Sequence, residues 1–201
     1  MIFVGVFAGI TFGGYAANVE PMYDALYEDS ESGANLADLW IDNQSSVWTP
    51  EQVESFCNGV MNSWPSDAEP LDGCEGRMIM KGNLFHTNET GDHLIPSVWH
   101  GIPADADIDR NWFPEGHSEG RPAAAVNEIV MDAHMAEILD IGLGSQIEIG
   151  VGNGSYEFDV VGIAYHPLHI YLAPEGSIFP PKPGEYAIGY VSDLGMERLS
   201  G

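Results

Sequence analysis

The chain opens with 19 residues, MIFVGVFAGITFGGYAANV, in which no charged side chain occurs before Glu20. A helix of this length spans about 28 Å, close to the thickness of a hydrocarbon core, so the pattern predicts the end of a transmembrane helix. Gly5, Gly9 and Gly13 recur every four residues, which favours close packing against another membrane helix. The alternative is that these glycines only reflect the high frequency of glycine in membrane helices.

The helical period continues beyond the apolar run to residue 29, with acidic side chains on the other positions. We therefore expect residues 1–29 to form a transmembrane helix end followed by a membrane-proximal helix. Another helix start is predicted at Thr49, because Thr49 can cap the helix, Pro50 suits its first position and Gln52 completes a capping box. The apolar stripe of this helix, expected to pack in the core, is Val53, Phe56, Cys57, Val60, Met61 and Trp64.

Apolar and polar residues alternate in several short segments, a pattern typical of half-buried strands. The sequence predicts such a strand at residues 37–42. Further strands are predicted at residues 77–86 and 93–101, on either side of a polar loop, and at residues 186–191. The segment 126–164 adds a strand over 126–131, a short helix over 132–139 and a hairpin that turns at Asn153-Gly154.

Together these elements predict an α+β fold, in which a mixed sheet with packed helices carries a β-rich inserted subdomain and follows a transmembrane helix end. The expected divisions are residues 1–29 for the membrane and membrane-proximal helix, 30–101 with 165–201 for an α/β core subdomain, and 102–164 for the inserted subdomain.

The net charge of the chain excludes some classes of binding partner. The chain has 31 acidic against six basic residues, a formal net charge of −25 at neutral pH. Nucleic acids and anionic lipid surfaces would be repelled, so nucleic-acid binding is excluded. Such an excess of carboxylates is tolerated where salt screens the repulsion or acid neutralises it, which predicts a saline or acidic exterior.

Cys57 and Cys74 are the two cysteines. An even count in an exported domain favours a disulfide between them. The alternative is that Cys57 packs as a small apolar residue on a helix face while Cys74 is an exposed free thiol.

Catalytic signatures give little support for an enzyme. The chain has no Walker GxxxxGK[ST], HExxH or CxxC pattern, no serine-hydrolase signature is identified, and no cofactor is predicted. His86, His93, His100 and His117 could converge on a metal ion, but solvated or hydrogen-bonded histidine is the alternative. Pro167 breaks the helical spacing between His166 and His169.

Two further groups of side chains have a functional and a structural interpretation. Asp105, Asp107 and Asp109 alternate in the manner of calcium ligands, but the glycine and glutamate of an EF-hand loop are missing. Trp99, Trp112 and Phe113 could form a docking surface, although core packing is the commoner fate of such residues.

Several segments occur in the order found in a known family. These are Ile102 with Asp105, then VNEIVMDAHMAEILDIGLGSQIEIG, then VVGIAYHP, and finally YAIGYVSDLGMERLSG. In this order the chain resembles the extracytoplasmic core domain of MacB-like and FtsX-like ABC-transporter permeases, the group that includes the lipoprotein-releasing LolC and LolE proteins. Ser145 departs from the pattern, since the family usually has an acidic residue there.

The resemblance implies a non-enzymatic domain on the extracellular or periplasmic side of the cell membrane, which couples cytoplasmic ATP hydrolysis to export or extraction of a substrate. The implied partners are a cytoplasmic ABC ATPase subunit, a second permease copy or paralogue, and an apolar or lipid-linked cargo. Two alternatives remain open at this point: a membrane-tethered binding or adhesion module, and an extracytoplasmic metal-dependent hydrolase.

Overall fold

The computed structural model describes residues 33–43, 46–88, 91–114, 116, 118–169, 174, 179 and 181–201. The predicted helix over residues 1–29, with Gly5, Gly9 and Gly13, lies outside this described part of the chain. Among the described residues, no helix is both long enough and apolar enough to cross a membrane.

The described residues contain three α-helices and seven strands, which gives an α+β fold. The helices are α1 (Pro50–Ser63), α2 (Ala133–Leu139) and α3 (Asp193–Ser200). The strands are β1 (Ile79–Asn88), β2 (Gly91–Gly101), β3 (Glu119–Gly120), β4 (Glu128–Asp132), β5 (Gln146–Val151), β6 (Gly154–Ala164) and β7 (Ala187–Val191).

The sheet closes on itself. Its strand order is β3-β6-β4-β7-β2-β1-β5, and β5 also pairs with β6, so every strand except β3 belongs to a closed ring of six. The β2–β7 and β4–β6 pairs are parallel, and the remaining pairs are antiparallel. The fold is therefore a mixed sheet, as the alternation of helical and strand patterns predicts.

The closed sheet draws on both of the regions that were expected to form separate subdomains. Strands β4, β5 and β6 come from residues 102–164, and they pair with β7 and β1 from the flanking segments. The division into a core and an inserted subdomain therefore does not correspond to two separate sheets. Strands β5 and β6 are neighbours in sequence and form a hairpin. Their other partners, β1 for β5 and β4 for β6, are distant in sequence, so no local sequence pattern predicts these pairs.

Buried apolar side chains form two layers, because successive side chains of a strand point to opposite faces. The interior layer includes Trp99, Met131 and Val191, and helices α2 and α3 close it with Met135 and Leu199. The outer layer covers the other face of β4 and β7 beneath the segment that follows β2. Its buried members are Ile102, Ala123, Val130, Ala164, Tyr186, Ile188 and Tyr190.

Of three local predictions for the N-terminal half, one is confirmed and two are wrong. The start of α1 is confirmed, since Thr49 and Gln52 form the reciprocal capping box and Pro50 begins the helix. The strand expected at residues 37–42 is wrong, because that described segment has no strand partner. Core packing of the α1 stripe is also wrong, since none of the α1 residues is buried.

The β5–β6 hairpin turns one residue earlier than expected. Val151 and Gly154 are the last paired residues, so the two turn residues are Gly152 and Asn153. Gly152 has a φ of 58°, which glycine adopts without steric cost and which a two-residue turn of the II′ type requires at its first position.

Candidate functional site

A group of polar side chains lies within the outer layer. We call His100, His166, His169 and Tyr190 the histidine–tyrosine cluster. His100 ends β2 and is the register partner of Tyr190 on the parallel strand β7. His166 directly precedes a 3₁₀ helix, Pro167–His169, that ends at the third histidine. The cluster therefore joins two neighbouring strands to the segment that follows β6.

The rings of the cluster are in mutual contact. The ring centroids of His100 and His169 are 4.9 Å apart, and those of His166 and His169 are 5.2 Å apart. His166 stacks on Tyr190 with a centroid distance of 5.6 Å. The Tyr190 hydroxyl and His169 Nδ1 are 3.0 Å apart and share a hydrogen bond.

Burial keeps the three imidazoles neutral. The pKa of His100 falls to about 3, mainly through desolvation and then through repulsion from His169 and His166. Desolvation and His169 lower the pKa of His166 to about 3, and desolvation lowers that of His169 to about 4. Burial also raises the pKa of Tyr190, so all four side chains are uncharged at neutral pH.

Asp109 lies at the edge of the cluster and connects it to the N-terminal part of the described chain, because its N–H donates to the Asn35 carbonyl. His166 Nε2 is 3.4 Å from the Asp109 carbonyl oxygen and 3.5 Å from its Oδ1. Burial raises the pKa of Asp109 to about 6, although the Arg77 guanidinium opposes the shift. Oδ1 is buried without a hydrogen-bond partner, which is a cost that the surrounding contacts must offset.

An open groove lies at the end of the sheet opposite to the histidine–tyrosine cluster. It has a volume of about 580 Å³ and lies between the β1–β2 hairpin, the end of α2 and the residues before β7. Its polar lining residues are His86, His93, Asp140 and Glu185. Its other lining residues are Leu94, Ile95, Pro96, Ile138, Leu139, Pro183 and Gly184.

The structure separates the histidines whose convergence on a metal ion was weighed against solvated or hydrogen-bonded histidine. His86 and His93 face each other across β1 and β2 and line the groove, whereas His100 belongs to the histidine–tyrosine cluster. His117 lies outside the described residues. In the described part of the chain, no three His, Cys, Asp or Glu side chains are placed to hold one metal ion together.

The three alternating aspartates do not behave as one set. Asp109 is buried beside His166, whereas Asp107 uses its backbone: its carbonyl accepts from Asn35 Nδ2 and its N–H donates to Glu75 Oε1. Sequence spacing alone could not distinguish these roles, because both partners come from distant parts of the chain.

Cys57 and Cys74 are joined by a disulfide, with their Cα atoms 5.5 Å apart. The bond ties the middle of α1 to the segment that leads into β1. A second contact lies nearby, since a Cβ atom at Gly76 would come within 2.7 Å of Val53 Cγ1. Helix α1 is therefore held close to the start of the sheet although it buries none of its residues.

The aromatic residues for which core packing was expected, with a docking surface as the alternative, are in the cores or half-buried. Trp99 is completely buried in the interior layer, and Phe113 packs against the outer layer. Trp112 pairs through its backbone with Tyr165. Leu39, Trp40 and Ile41, in the segment that was predicted to be a strand, are among the exposed apolar residues instead.

The expectation that the chain carries no serine-hydrolase signature is wrong. Gly116, Ser118 and Gly120 fit GxSxG, which in α/β hydrolases forms a sharp turn between a strand and a helix. Here Ser118 precedes the two-residue strand β3, and its Oγ donates to the Pro114 carbonyl at 2.8 Å. The local structure is therefore not that of a nucleophile elbow.

Three features of the described fold bear on function: the groove at one end, the histidine–tyrosine cluster, and the attachment of residues 33–35 beside that cluster. No protein-family model matches the chain, and no curated protein matches it. Function is therefore inferred from these features and from the sequence pattern.

Proposed function

We propose that the chain is the extracytoplasmic domain of an exporter-type ABC permease, anchored in the cell membrane through residues 1–29. It would act mechanically and not as an enzyme, transmitting the effect of cytoplasmic ATP hydrolysis to a substrate at the outer face of the membrane. The observation that carries this proposal is that the incoming chain and the final helix α3 join the closed sheet at the same end.

The incoming chain is attached by backbone hydrogen bonds. The N–H of Asp109 donates to the Asn35 carbonyl at 2.7 Å, and that of Arg110 donates to the Ala34 carbonyl at 3.0 Å. Arg77, just before β1, donates to the carbonyl of Ile108 in the same segment. Residues 33–35 therefore meet the fold where β1 begins.

The outgoing helix starts at this end too. Gly101 at the end of β2 is the register partner of Val191 at the end of β7, and α3 begins two residues later at Asp193. The charges of Arg77 and Glu75 both act on the Asp193 carboxyl. A domain joined to its flanking segments at one end can be inserted between two helices of the same membrane.

Both attachments reach the cores directly. The incoming segment bonds to Asp109, which touches the histidine–tyrosine cluster through His166. On the outgoing side, Met196 and Leu199 of α3 are buried in the interior layer. Displacement of either flank would therefore move packed side chains and not a flexible loop, which is what mechanical coupling needs.

The expected partners follow from the same proposal. An ATP-binding subunit would bind the membrane part from the cytoplasm, and a second permease copy or paralogue would pack beside the predicted helix. The cargo would be apolar or lipid-linked. The net charge of −25 makes nucleic acid an unsuitable cargo.

The test is a detergent pull-down of the full-length protein from its native membrane, followed by mass spectrometry. We expect an ATP-binding subunit at near-stoichiometric yield. Failure to recover such a subunit with a folded, membrane-bound bait would contradict the proposal.

The predicted helix-packing glycines offer a matched comparison. Replacing Gly5, Gly9 and Gly13 by Leu keeps the segment apolar but blocks close approach of a second helix, so recovery of the second permease copy should fall. Replacing Phe7 and Thr11 by Leu changes the other side of the predicted helix and should leave recovery unchanged. Equal losses in both variants would count against the glycine face.

A membrane-tethered binding module is the second candidate, favoured by one observation. Leu39, Trp40 and Ile41 are exposed side by side, with 61%, 49% and 59% of their surface accessible. If the pull-down recovers an extracellular protein but no ATP-binding subunit, and Trp40→Ala abolishes that recovery, the binding module replaces the permease.

A further inference from the structure

We propose that the groove binds a divalent transition-metal ion, with His86 and His93 as its two protein ligands. The ion would belong to the class that prefers imidazole, such as Cu²⁺, Ni²⁺ or Zn²⁺. This inference is independent of the proposed function, because it rests only on the residues that line the groove.

The first argument is the register of the hairpin. His86 and His93 are direct cross-strand partners in the antiparallel β1–β2 pair. Side chains at such positions point to the same face, with Cβ atoms about 5 Å apart. Two imidazoles at this separation can approach one ion from both sides.

The second argument is that both histidines face the groove. They have the same parity as Leu84 and Ile95, which point into the interior layer, so they continue that face towards the mouth of the closed sheet. Both line the 580 Å³ groove. A hydrated ion can therefore reach them, whereas His166 of the histidine–tyrosine cluster is buried.

The third argument is charge. Asp140 and Glu185 line the same groove, and the chain as a whole is strongly acidic, so cations are concentrated there. Glu185 Oε1 lies 3.7 Å from Lys182 Nζ, which partly neutralises that carboxylate. The negative charge of Asp140 is therefore the more effective of the two in attracting an ion.

Two protein ligands leave the remaining coordination positions to water. The site is thus consistent with the finding that no three described side chains are arranged around one ion. Binding would clip β1 to β2 close to their turn and would stabilise the folded state in proportion to ion concentration.

The test is a calorimetric titration of the tag-free, full-length protein with Cu²⁺ in the presence of excess Mg²⁺. Magnesium occupies carboxylates but competes poorly for imidazole, so it suppresses binding elsewhere on the acidic surface. We expect one Cu²⁺ per chain, with electron paramagnetic resonance splitting from two nitrogen ligands. His93→Asn should weaken binding by about tenfold or more, because chelation by two ligands is lost.

Asp92→Asn is the matched control. It lies on the same hairpin, next to His93 but on the other face, where its Oδ1 accepts from Thr87 Oγ1 at 2.8 Å. This variant should bind Cu²⁺ as the native protein does. Zn²⁺ should also raise the Tm of the native protein and of Asp92→Asn, but not that of His93→Asn.

Three results would overturn the proposal. The first is a native protein that binds no Cu²⁺ in excess Mg²⁺. The second is native-like binding by both His86→Asn and His93→Asn. The third is an equal loss of binding in Asp92→Asn, which would assign the ion to surface carboxylates.

Discussion

The closed sheet and the region of helix α1 are stabilised in different ways. Trp99, Leu84 and Ile149 of the sheet are completely buried, and all five residues of β7 are buried on both faces. Helix α1 buries none of its 14 residues. It depends on a capping box, on the disulfide between Cys57 and Cys74, and on half-buried contacts.

Two kinds of interaction therefore stabilise this chain: burial of apolar side chains stabilises the sheet, and local restraints stabilise α1. Burying a large apolar side chain contributes about 1.5–3 kcal/mol, and the sheet has many such residues. An isolated helix of the length of α1 is marginal in water, so α1 needs the cap and the covalent link. Substitutions in the sheet should therefore affect the whole fold, while those around α1 should act locally.

The two tryptophans give the largest expected contrast. Trp99 is completely buried, and Cβ atoms placed at Gly189 and Gly82 would come within 2.6 Å and 2.9 Å of its ring. Trp99→Ala leaves a cavity between these glycines, and we expect it to lower the free energy of unfolding by about 3–5 kcal/mol. Urea denaturation followed by circular dichroism measures the loss.

Trp40→Ala is the control for this substitution. Trp40 is half exposed, and its Nε1 donates only to the Ala37 carbonyl three residues earlier. The free energy of unfolding should change by no more than about 0.5 kcal/mol. Similar losses for the two variants would show that the N-terminal segment belongs to the cooperative core.

The histidine–tyrosine cluster should give the next largest change in stability, in this case with pH, because its imidazoles lose solvation in the fold. The pKa of His100 is about 3 in the fold, against 6.5 when unperturbed. The unfolded chain therefore binds the proton first, and stability that is fully present above pH 6.5 is lost as the pH falls towards 3. Between about pH 7 and about pH 4 the loss from this histidine is about 3 kcal/mol.

His100→Gln isolates that contribution. The variant lacks the titrating ring, so its stability should fall less steeply over this range than that of the native protein, whatever its stability at neutral pH. Raised pKa values at Asp109 and Asp132 act in the opposite direction, but they are common to both proteins and cancel in the difference. Parallel pH profiles would mean that His100 is not buried as a neutral group.

Sequence patterns predicted the local elements of the sheet better than its closure. The polar loop between two strand-like segments identified β1 and β2, and the cap at Thr49 identified the start of α1. The pairing of β5 with β1 and of β2 with β7 joins distant segments. Such pairing depends on packing of the whole chain, so a short stretch of sequence does not predict it.

The same limit explains the errors at the candidate sites. Residues 37–42 alternate like a strand, but alternation does not supply a partner strand, and the segment stays exposed. His100 was considered together with His86 and His93 as a possible metal ligand, whereas the parallel β2–β7 pair brings it to Tyr190 and His169. The pairing of His86 with His93 was accessible in principle, since it follows from the register of a single hairpin.

Replacing Cys57 and Cys74 together by Ser tests the covalent part of the comparison. A disulfide that closes a loop of this length contributes about 3 kcal/mol to stability in the chain-entropy model. We expect the loss of this contribution to affect only α1 and the segment that connects it to β1. Hydrogen exchange should accelerate at α1 amides while the amides of β7 and β4 stay protected. Reduction of the native protein by a thiol reagent should reproduce this pattern, whereas loss of protection throughout the sheet would contradict it.

Thr49→Ala should give the smallest effect, and it tests whether α1 responds independently of the sheet. Thr49 Oγ1 accepts from the Gln52 N–H, and Gln52 Oε1 accepts from the Thr49 N–H at 2.9 Å. Removing the hydroxyl should destabilise α1 by about 1 kcal/mol, seen as faster hydrogen exchange in its first turn with the disulfide intact. Ser63→Ala at the other end of α1 is the control, because its hydroxyl bonds back to the carbonyls of Gly59 and Val60 in the same helix and stabilises the helix little. Since α1 contributes no buried residue to the cores, neither substitution should alter exchange in β7, and a change there would mean that α1 and the sheet unfold as one unit.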